Sequence, residues 1–302
     1  MTASNQSGTV GFIGLGSMGA GMTRNLQKAG FTLVVNDIRR EQAAELIHGG
    51  ARWADTPAEV AADSDLVITM LPTPRHVSEV MNGKAGVLAG IVPSGTWIDM
   101  STSVPDVADE VRKSNPGLHV LDAPVSGMST GAANGTLQIF IGGDADDVTR
   151  LAPVFEAMGD RERILHVGAH GAGYTVKLML NQLWFSHLVA TAEVLAIGVK
   201  AGVDLGVLRN ALVNSPARSN FVEHDVLSVL DHGDYDEGFA IALACKDLGL
   251  SVDLAGSVGV PAELSALVEQ IFRRARAAYG DKAGEMTPMK LYERLIGVDL
   301  RL

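Results

Sequence analysis

Three glycines near the start of the chain are spaced for binding a phosphate-containing ligand. Gly14, Gly16 and Gly19 lie between a β-like run that ends at residue 13 and a helical pattern over 18–29. In that context the first glycine allows a tight turn, the second lets a pyrophosphate approach the backbone, and the third lets helix and strand pack closely. Without that context, the same glycine spacing is equally well explained by a turn with a purely structural role. The residues between the glycines, whose N–H groups are aimed at the same phosphates, are Leu15, Ser17 and Met18.

An acidic residue at the end of the next β-like run supports a dinucleotide. Asp37 lies 18 residues beyond Gly19, where a carboxylate accepts hydrogen bonds from ribose hydroxyls. A carboxylate at that place repels a 2′-phosphate, so Asp37 favours NAD over NADP. Arg39 and Arg40 follow closely and would favour NADP if they turned inward, although ordinary surface bases are the simpler interpretation.

A second glycine-rich segment could bind an anion. Asp122-Ala-Pro-Val-Ser-Gly127 follows a strand-like run and leads into Gly131-Ala-Ala-Asn-Gly-Thr136. A bend of this kind can present backbone N–H groups and the Ser126 hydroxyl to a carboxylate. The alternative is a plain turn between two strands.

Two polar side chains share one face of a long, mostly apolar helical pattern. Lys177 and Asn181 are four residues apart, so both can reach one substrate. A lysine partly desolvated among Val176, Leu178 and Leu180 is expected to have a lowered pKa, which suits a group that takes and returns an alcohol proton. The alternatives are a lysine that extends to solvent and an ordinary helix asparagine.

A charged pair lies in an apolar helical segment further along the chain. Lys246 and Asp247 either face a ligand or form a salt bridge within the packing.

The elements that must position these residues change in type along the chain. Up to residue 167, apolar β-like runs alternate with helical patterns, which predicts a mainly parallel, doubly wound α/β sheet. After that point only helical patterns follow, so we predict a dinucleotide-binding domain over 1–167 and an all-helical domain over 168–302. The predicted strands are 9–13, 32–36, 66–70, 97–99, 119–122, 138–141 and 164–167. The predicted helices are 18–29, 41–47, 105–113, 148–158, 173–201, 205–214, 221–230, 241–257 and 261–278.

The composition of the chain restricts the binding partners and the cellular compartment that we expect. The chain has 302 residues and a formal net charge of −11, which argues against nucleic acid and membrane surfaces as partners. Cys245 is the single cysteine, so an intrachain disulfide is impossible and a reducing compartment is expected. The first residues, MTASNQSG, lack a basic start followed by an apolar core, and we interpret them as a loose tail. These features predict a cytoplasmic protein.

In the order of its motifs the chain resembles the β-hydroxyacid dehydrogenases, which include 3-hydroxyisobutyrate dehydrogenase and tartronate semialdehyde reductase. The resemblance runs nearly end to end. It rests on Gly-Phe-Ile-Gly-Leu-Gly-Ser-Met-Gly at 11–19, Met-Leu-Pro at 70–72, Asp-Met-Ser-Thr at 99–102, Asp-Ala-Pro-Val-Ser-Gly at 122–127, Gly-Ala-Gly at 171–173 with Lys177, and Lys-Asp-Leu at 246–248.

The resemblance implies a role for each matching residue. Lys177 corresponds to the catalytic lysine, Asn181 to the asparagine that orients the substrate, and Lys246 to a lysine near substrate and nicotinamide. It also implies a Rossmann domain, a long helix joining the domains, and dimers or tetramers formed through the helical part. The remaining implied contacts are Ser126 and Gly127 for the substrate and Leu71, Pro72 and Thr102 for the cofactor.

Two departures from the family pattern concern the substrate. Met128 stands where a second glycine usually follows Ser-Gly, and Leu180-Asn181-Gln182 stands where paired asparagines are usual. Met128 could narrow or shift the anion site, and Trp184, seven residues beyond Lys177, could add an aromatic wall. We therefore hypothesise a bulkier or less ordinary substrate than 3-hydroxyisobutyrate. Routine core packing explains both side chains equally well.

Together, these residues and the family resemblance predict reversible oxidation of an alcohol on a small carboxylate-bearing 3-hydroxy acid. The hydride passes to NAD, Lys177 takes the hydroxyl proton, and no metal is required. An imine reductase using NADPH would share the fold, but such relatives generally lack the lysine. A nucleotide-binding relative without catalysis is the third alternative. The 6-phosphogluconate dehydrogenases share motifs but are longer.

Overall fold

A mainly parallel β-sheet organises the first part of the chain in a computed structural model that describes residues 8–236 and 238–302. Its described strands are β1 (Thr9–Ile13), β2 (Thr32–Asn36), β3 (Arg52–Trp53), β4 (Leu66–Thr69), β5 (Thr96–Asp99), β6 (His119–Asp122), β7 (Val125–Ser126), β8 (Leu137–Gly142) and β9 (Gly159–Gly168). Their order is β3-β2-β1-β4-β5-β6-β8-β7, with β9 paired to β8. Strand β8 runs antiparallel to β6 and β7, and the other pairings are parallel. The predicted doubly wound α/β class is confirmed.

Both faces of this sheet are buried, because neighbouring residues in each central strand contribute to different clusters. Phe12, Ile68 and Ile98 belong to one buried cluster, whereas Val67 and Trp97 belong to another. This is the pattern of a sheet covered on both sides by helices. The helices that begin before residue 172 are α1 (Gly19–Lys28), α2 (Ala44–His48), α3 (Pro57–Ala62), α4 (Pro74–Asn82), α5 (Pro105–Ser114), α6 (Met128–Asn134) and α7 (Ala145–Met158).

Two short helices that the sequence patterns did not predict begin at Thr-Pro pairs. The Thr56 side chain accepts a hydrogen bond from the Glu59 N–H at the start of α3, and Thr73 accepts one from His76 at the start of α4. In both helices the proline follows at the first helical position, where its missing N–H removes no intrahelical bond.

The chain divides into two compact units, Met1–Lys177 and Leu178–Leu302, and the division falls inside the long helix α8 (Ala172–Lys200). The domain boundary predicted from the sequence lies at residue 168, just before this helix. By length and composition α8 could cross a membrane, with a mean hydropathy of 1.3. It also supplies Tyr174, Phe185 and Leu188 to buried clusters, as a core helix of a folded domain does.

The regular secondary structure of the second unit is helical in its described residues, apart from one isolated β-bridge between Ala240 and Gly284. Phe185, Phe221 and Phe272 lie at the centre of its core. The all-helical prediction is confirmed. Beyond α8 the helices are α9 (Leu205–Val213), α10 (Leu227–His232), α11 (Ile241–Ser257), α12 (Glu263–Tyr279) and α13 (Pro288–Ile296), with a π-helical turn at Phe221–Asp225. The tail expected at the N-terminus lies outside the described residues, apart from Gly8.

Candidate active site

The glycine loop between β1 and α1 has the geometry that its spacing predicts. Gly14 has a φ of +100°, and a Cβ there would lie 2.3 Å from the Met70 carbonyl oxygen. A Cβ on Gly19 would lie 1.9 Å from the Gly14 carbonyl oxygen, so helix α1 can start this close only with glycine. A Cβ on Gly16, by contrast, would meet no atom of the described residues within 4 Å. The space beside Gly16 is open, as a bound pyrophosphate requires.

The Asp37 carboxylate is held against the same loop. One of its oxygens accepts a hydrogen bond from the Leu15 N–H at 2.7 Å, and the other accepts one from the Arg39 N–H at 2.8 Å. The Arg40 guanidinium lies over the Trp53 indole, 5.5 Å from the ring centre, and both arginines are exposed. Asp37 is therefore the charged side chain fixed at the loop, and Arg40 is engaged on a neighbouring aromatic ring. The Leu15 N–H, which we expected to face the phosphates, donates to Asp37 instead.

The carboxyl ends of the central strands form one continuous edge. Residues in register across that edge are Asn36, Ile13, Thr69, Asp99 and Asp122. Ligands of open α/β sheets bind at this edge, in the loops that follow the strands. Leu71 and Thr102 lie on two of these loops, and the Leu71 N–H donates a hydrogen bond of 2.8 Å to the Ser101 hydroxyl. The structure thus brings the predicted cofactor residues of this unit to one edge of the sheet.

Asp99 is the centre of a buried hydrogen-bond network that the sequence did not reveal. Its Oδ1 accepts from the hydroxyls of Thr69 at 2.7 Å and Ser101 at 2.6 Å, and its Oδ2 accepts from the Tyr174 hydroxyl at 2.7 Å. The Trp97 indole in turn donates to Thr69. Burial raises the pKa of Asp99, although its hydroxyl donors favour the ionised form. An acidic residue that ends an apolar strand is the sequence signal for such a site.

Asp122 caps the start of helix α8 from the end of β6. Its two oxygens accept from the N–H groups of Gly171 at 2.7 Å and Tyr174 at 3.0 Å. These are groups that a helix start leaves without intrahelical partners, and a carboxylate there also opposes the positive end of the helix dipole. Burial raises the pKa of Asp122 to about 6, while the backbone donors Gly171 and Tyr174 act in the opposite direction. Asp122 therefore fixes the turn that precedes Lys177.

The raised pKa of Asp122 predicts a pH-dependent contribution to stability. Between its ordinary value of 3.8 and about 6, the folded protein holds a proton that the unfolded chain has released. The free energy of unfolding linked to this group therefore falls, by up to roughly 3 kcal/mol, as pH rises through that window, and is constant above it. The stability gap is the free energy of unfolding of the wild type minus that of the variant. In urea titrations from pH 4 to 7, this gap is expected to rise for Asp122→Asn as pH falls.

Asp147→Asn provides the control of opposite sign. Burial acts to raise the pKa of Asp147, but Arg150 and His119 lower it more, so the net shift is downward. Its contribution to stability is lost on acidification, and the gap between wild type and Asp147→Asn should narrow as pH falls. A gap for Asp122→Asn that stays flat or narrows in the same titration contradicts the assignment.

The predicted anion-binding segment forms a bend, as expected, and a helix that the sequence did not predict follows it. Ser126 ends β7 and is partly exposed, Gly127 is exposed with a φ of +128°, and α6 starts at Met128. The Asn25 side chain on α1 donates to the Ala132 carbonyl oxygen at 2.7 Å. The helix that carries the glycine loop therefore also holds the helix after Ser126.

Met128 adopts a backbone conformation that side chains rarely occupy. Its φ of +57° is the one positive value at a non-glycine position among the described residues, and its side chain is 37% exposed. A left-handed non-glycine residue costs roughly 1–2 kcal/mol. Such strain is retained where surrounding structure enforces it, which occurs most often at functional sites.

Lys177 lies one turn into α8, three residues after Tyr174, and is 9% exposed. The start of this helix is held at the carboxyl edge of the sheet by Asp99 and Asp122. Lys177 is thus carried by an element fixed to the edge that also carries the glycine loop. Asn181 follows four residues later on α8, in the second unit.

In the second unit, Asp247 organises two of the predicted polar residues. Its buried carboxylate accepts from the Asn181 side-chain amide at 2.7 Å and lies 2.8 Å from the Lys246 ammonium. Both residues of the Lys246–Asp247 pair therefore belong to one cluster with Asn181. The amide orientation of Asn181 is set by this bond, because a carboxylate can only accept. The sequence showed the charged pair but not its link to Asn181.

Trp184 has a defined place in the helical core. Its indole N–H donates to Asp225 at 2.8 Å, and its ring meets Phe185 and Phe221 edge-on. Its place as an aromatic wall for substrate stays a prediction.

Two family models together match nearly the whole chain. Residues 9–168 match the NAD binding domain of 6-phosphogluconate dehydrogenase, and residues 171–292 match the NAD-binding domain of NADP-dependent 3-hydroxyisobutyrate dehydrogenase. The chain belongs to the β-hydroxyacid dehydrogenase family. The predicted family is confirmed.

Curated members of the β-hydroxyacid dehydrogenases are similar to this chain over most of its length. The 2-(hydroxymethyl)glutarate dehydrogenase of Eubacterium barkeri is 34% identical over 96% of this chain and 97% of its own length. The NAD-dependent L-serine dehydrogenase of Pseudomonas aeruginosa is 36% identical over 87% of this chain and 90% of its own. The chain is therefore an NAD(P)-dependent hydroxyacid dehydrogenase.

Solved structures of β-hydroxyacid dehydrogenases share the fold. The Mycobacterium tuberculosis 3-hydroxyisobutyrate dehydrogenase with L-serine is 32% identical, covers 95% of this chain and 99% of its own, and has a TM-score of 0.87. An imine reductase from Pseudomonas sp. is more distant, at 20% identity over 94% of this chain and 99% of its own, with a TM-score of 0.59. That likeness shows the fold alone.

The residues at the edge of the sheet fit a nicotinamide dinucleotide. The pyrophosphate requires the open space beside Gly16, and the ribose requires an acceptor such as the anchored Asp37 carboxylate. Among the described residues, no group of three or more His, Cys, Asp and Glu side chains is arranged to hold a metal ion.

Proposed function

We propose that this chain oxidises a small 3-hydroxy acid, or reduces its semialdehyde or keto form, with Lys177 as the general acid and base. The observation that carries the proposal is the position of Lys177 on α8. It lies one turn beyond a helix start that Asp99 and Asp122 hold at the carboxyl edge of the sheet. A buried amine attached to the cofactor-binding edge suits transfer of a hydroxyl proton.

The other predicted residues take supporting roles in this proposal. When bound, the nicotinamide accepts or supplies the hydride. Lys177 takes the hydroxyl proton in oxidation and returns it in reduction. Asn181, oriented by Asp247, holds the substrate oxygen, and Lys246 contributes positive charge. Ser126 and the Gly127 N–H bind the substrate carboxylate, with Met128 and Trp184 bounding the remainder of the substrate.

NAD is the proposed cofactor, on the strength of the Asp37 carboxylate at the glycine loop. Replacing Asp37 by serine removes a charged acceptor for ribose hydroxyls and the partner of the Leu15 N–H. We expect KM for NAD to rise about 10- to 100-fold, as loss of a hydrogen bond to a charged group predicts, and the preference over NADP to shrink or reverse. Initial rates at 340 nm with each cofactor measure both effects.

Asp55→Ser is the matched control for that measurement. Asp55 is also an aspartate that follows a strand, β3, but its carboxylate accepts from the Trp53 indole and not from the glycine loop. It should leave both KM values within about twofold, since exposed polar contacts contribute little. Wild-type enzyme that prefers NADP, or Asp37→Ser with an unchanged KM for NAD, contradicts the assignment.

The proposed substrate is bulkier than 3-hydroxyisobutyrate. The strained Met128 after Ser126 and Gly127 supports a site that differs from the usual one. The relative named 2-(hydroxymethyl)glutarate dehydrogenase supports a longer acid as well. The test is an absorbance screen at 340 nm of 3-hydroxyisobutyrate, L-serine and 2-(hydroxymethyl)glutarate with NAD and NADP separately. A clear preference for the smallest acid ends the size hypothesis.

The same screen separates the rival functions. Turnover of a cyclic imine with NADPH, without turnover of any hydroxy acid or semialdehyde, indicates an imine reductase. Cofactor binding without turnover of any of them indicates a nucleotide-binding protein that has lost catalysis.

We also propose a homodimer or homotetramer formed through the helical unit. Val258, Leu264 and Leu267 are each more than half exposed there, and exposed apolar side chains near one another often mark interfaces. The cytoplasmic location, expected from the single cysteine, stays a prediction as well.

A further inference from the structure

The first turn of α8 is bonded to the sheet at three points. The N–H groups of Gly171 and Tyr174 donate to Asp122, and the Tyr174 hydroxyl donates to Asp99. Asp99 and Asp122 are register partners at the ends of neighbouring strands. Two of these bonds hold the backbone of the turn, and the third holds it through a side chain.

The Tyr174 bond differs from the other two because it leads on to the cofactor loops. Asp99 accepts on its other oxygen from the Ser101 hydroxyl, and that hydroxyl accepts from the Leu71 N–H. An unbroken chain of hydrogen bonds therefore joins the loop after β4 to the helix that carries Lys177. Every donor and acceptor in it is matched, and satisfied buried networks of this kind fix geometry.

We propose that Tyr174 is a positioning residue, whose hydroxyl bond to Asp99 sets the placement of Lys177 relative to the loops that follow β4 and β5. The inference rests on the proposed role of Lys177. Tyr174 is fully buried, and it precedes Lys177 by three residues, so the two side chains lie on neighbouring positions of one helix face. Rotation of the first turn would displace both together.

Loss of the Tyr174 hydroxyl should lower the rate of proton transfer more than it changes the affinity for cofactor and substrate. Ser101 still donates to Asp99 and still accepts from Leu71, so the cofactor loops keep their bonds. Asp122 still caps the backbone, so the helix still starts at the same residue. What is lost is the side-chain bond that limits rotation of the turn.

The test is Tyr174→Phe, with Tyr279→Phe as its matched control. Tyr279 has a buried hydroxyl for which the described residues provide no hydrogen-bond partner, so the control makes the same chemical change outside the network. For Tyr174→Phe we expect kcat to fall about tenfold, as a displaced catalytic group predicts. KM for the hydroxy acid and the dissociation constant for NADH, from its fluorescence, should stay within about twofold. Tyr279→Phe should match the wild type in all three.

A second readout needs neither cofactor nor turnover. Trace acetylation of the free enzyme with acetic anhydride, quantified by mass spectrometry, reports how accessible each lysine amine is. In Tyr174→Phe, labelling of Lys177 should rise several-fold, while labelling of Lys200 at the far end of the same helix stays constant. Lys200 is already exposed, so the control for a general loss of stability is the partly buried Lys290, whose labelling should also stay constant.

Unchanged Lys177 labelling together with unchanged kcat in Tyr174→Phe overturns the proposal. If Tyr174→Phe does not fold, Asp99→Asn takes its place. The amide oxygen replaces only one of the two carboxylate oxygens, and when it accepts from Thr69 and Ser101 the amide nitrogen faces Tyr174 and cannot accept its hydroxyl hydrogen. Failure of the proposed function has a different signature. In that case Lys177→Ala keeps its activity, whatever Tyr174→Phe does to labelling.

Discussion

Lys177→Ala is expected to lower kcat for the hydroxy acid by about 10²- to 10⁴-fold, the range that general acid–base catalysis contributes. NADH binding, measured by fluorescence titration, should stay within about twofold, because the glycine loop and Asp37 are unaltered. The physical reason is that a buried alanine can neither take the hydroxyl proton nor stabilise the developing alkoxide. Small primary amines added to the variant should restore part of the activity.

The control for this experiment lies on the same helix. Lys200 donates to the Ile296 carbonyl oxygen at the end of α8, so Lys200→Ala removes an α8 lysine away from the proposed chemistry. Its kcat should remain near the wild-type value. Near-wild-type turnover by Lys177→Ala refutes the proposed mechanism, and lost NADH affinity in that variant would indicate a structural role instead.

The sequence predicted the elements that carry strong periodicity. Strands 9–13, 32–36 and 119–122 and helix 241–257 have the predicted bounds, and the long helix differs by one residue at each end. These segments are short apolar runs or long, mostly apolar helical patterns bounded by turn residues, so local preference and tertiary packing agree in them.

Several elements that the sequence did not predict are short, although the missed helices α4 and α13 have nine residues each. Strands β3 and β7 have two residues each, and β3 pairs only because β2 lies beside it. The helix at Met128–Asn134 contains glycine and begins in a strained conformation, which local propensity disfavours. Its packing against α1, through Asn25, supplies what the local sequence lacks.

The same distinction applies to the candidate site. The turn geometry at Gly14, Gly16 and Gly19 could be predicted, because a strand–turn–helix motif is local and its spacing determines the geometry. The bonds of Asp99 and Asp122 to Tyr174 join residues more than 50 positions apart, and no local spacing encodes them. The sequence indicated the candidate residues, and the structure shows how the start of the helix that carries Lys177 is held.

Gly16→Ala is expected to abolish useful cofactor binding without harming the fold. The added methyl group meets no described atom within 4 Å, so the folded protein accommodates it. Loss of flexibility in the unfolded chain should raise stability slightly, by about 0.4–1 kcal/mol. The methyl group occupies the space that the pyrophosphate needs, and we expect NADH affinity to fall about a hundredfold, equivalent to roughly 3 kcal/mol of lost phosphate contacts.

Two other glycines distinguish this effect from general damage. Gly256 in α11 is equally open, so Gly256→Ala should leave NADH affinity unchanged and stabilise the helix by about 1 kcal/mol. A Cβ on Gly19 would lie 1.9 Å from the Gly14 carbonyl oxygen, so Gly19→Ala should lower the thermal midpoint as well as the affinity. Affinity lost with stability kept is expected for Gly16 alone, because only there does the open space belong to the ligand. If Gly16→Ala binds NADH as tightly as the wild type does, the pyrophosphate does not lie beside Gly16. The basis for assigning the cofactor to this edge of the sheet is then removed.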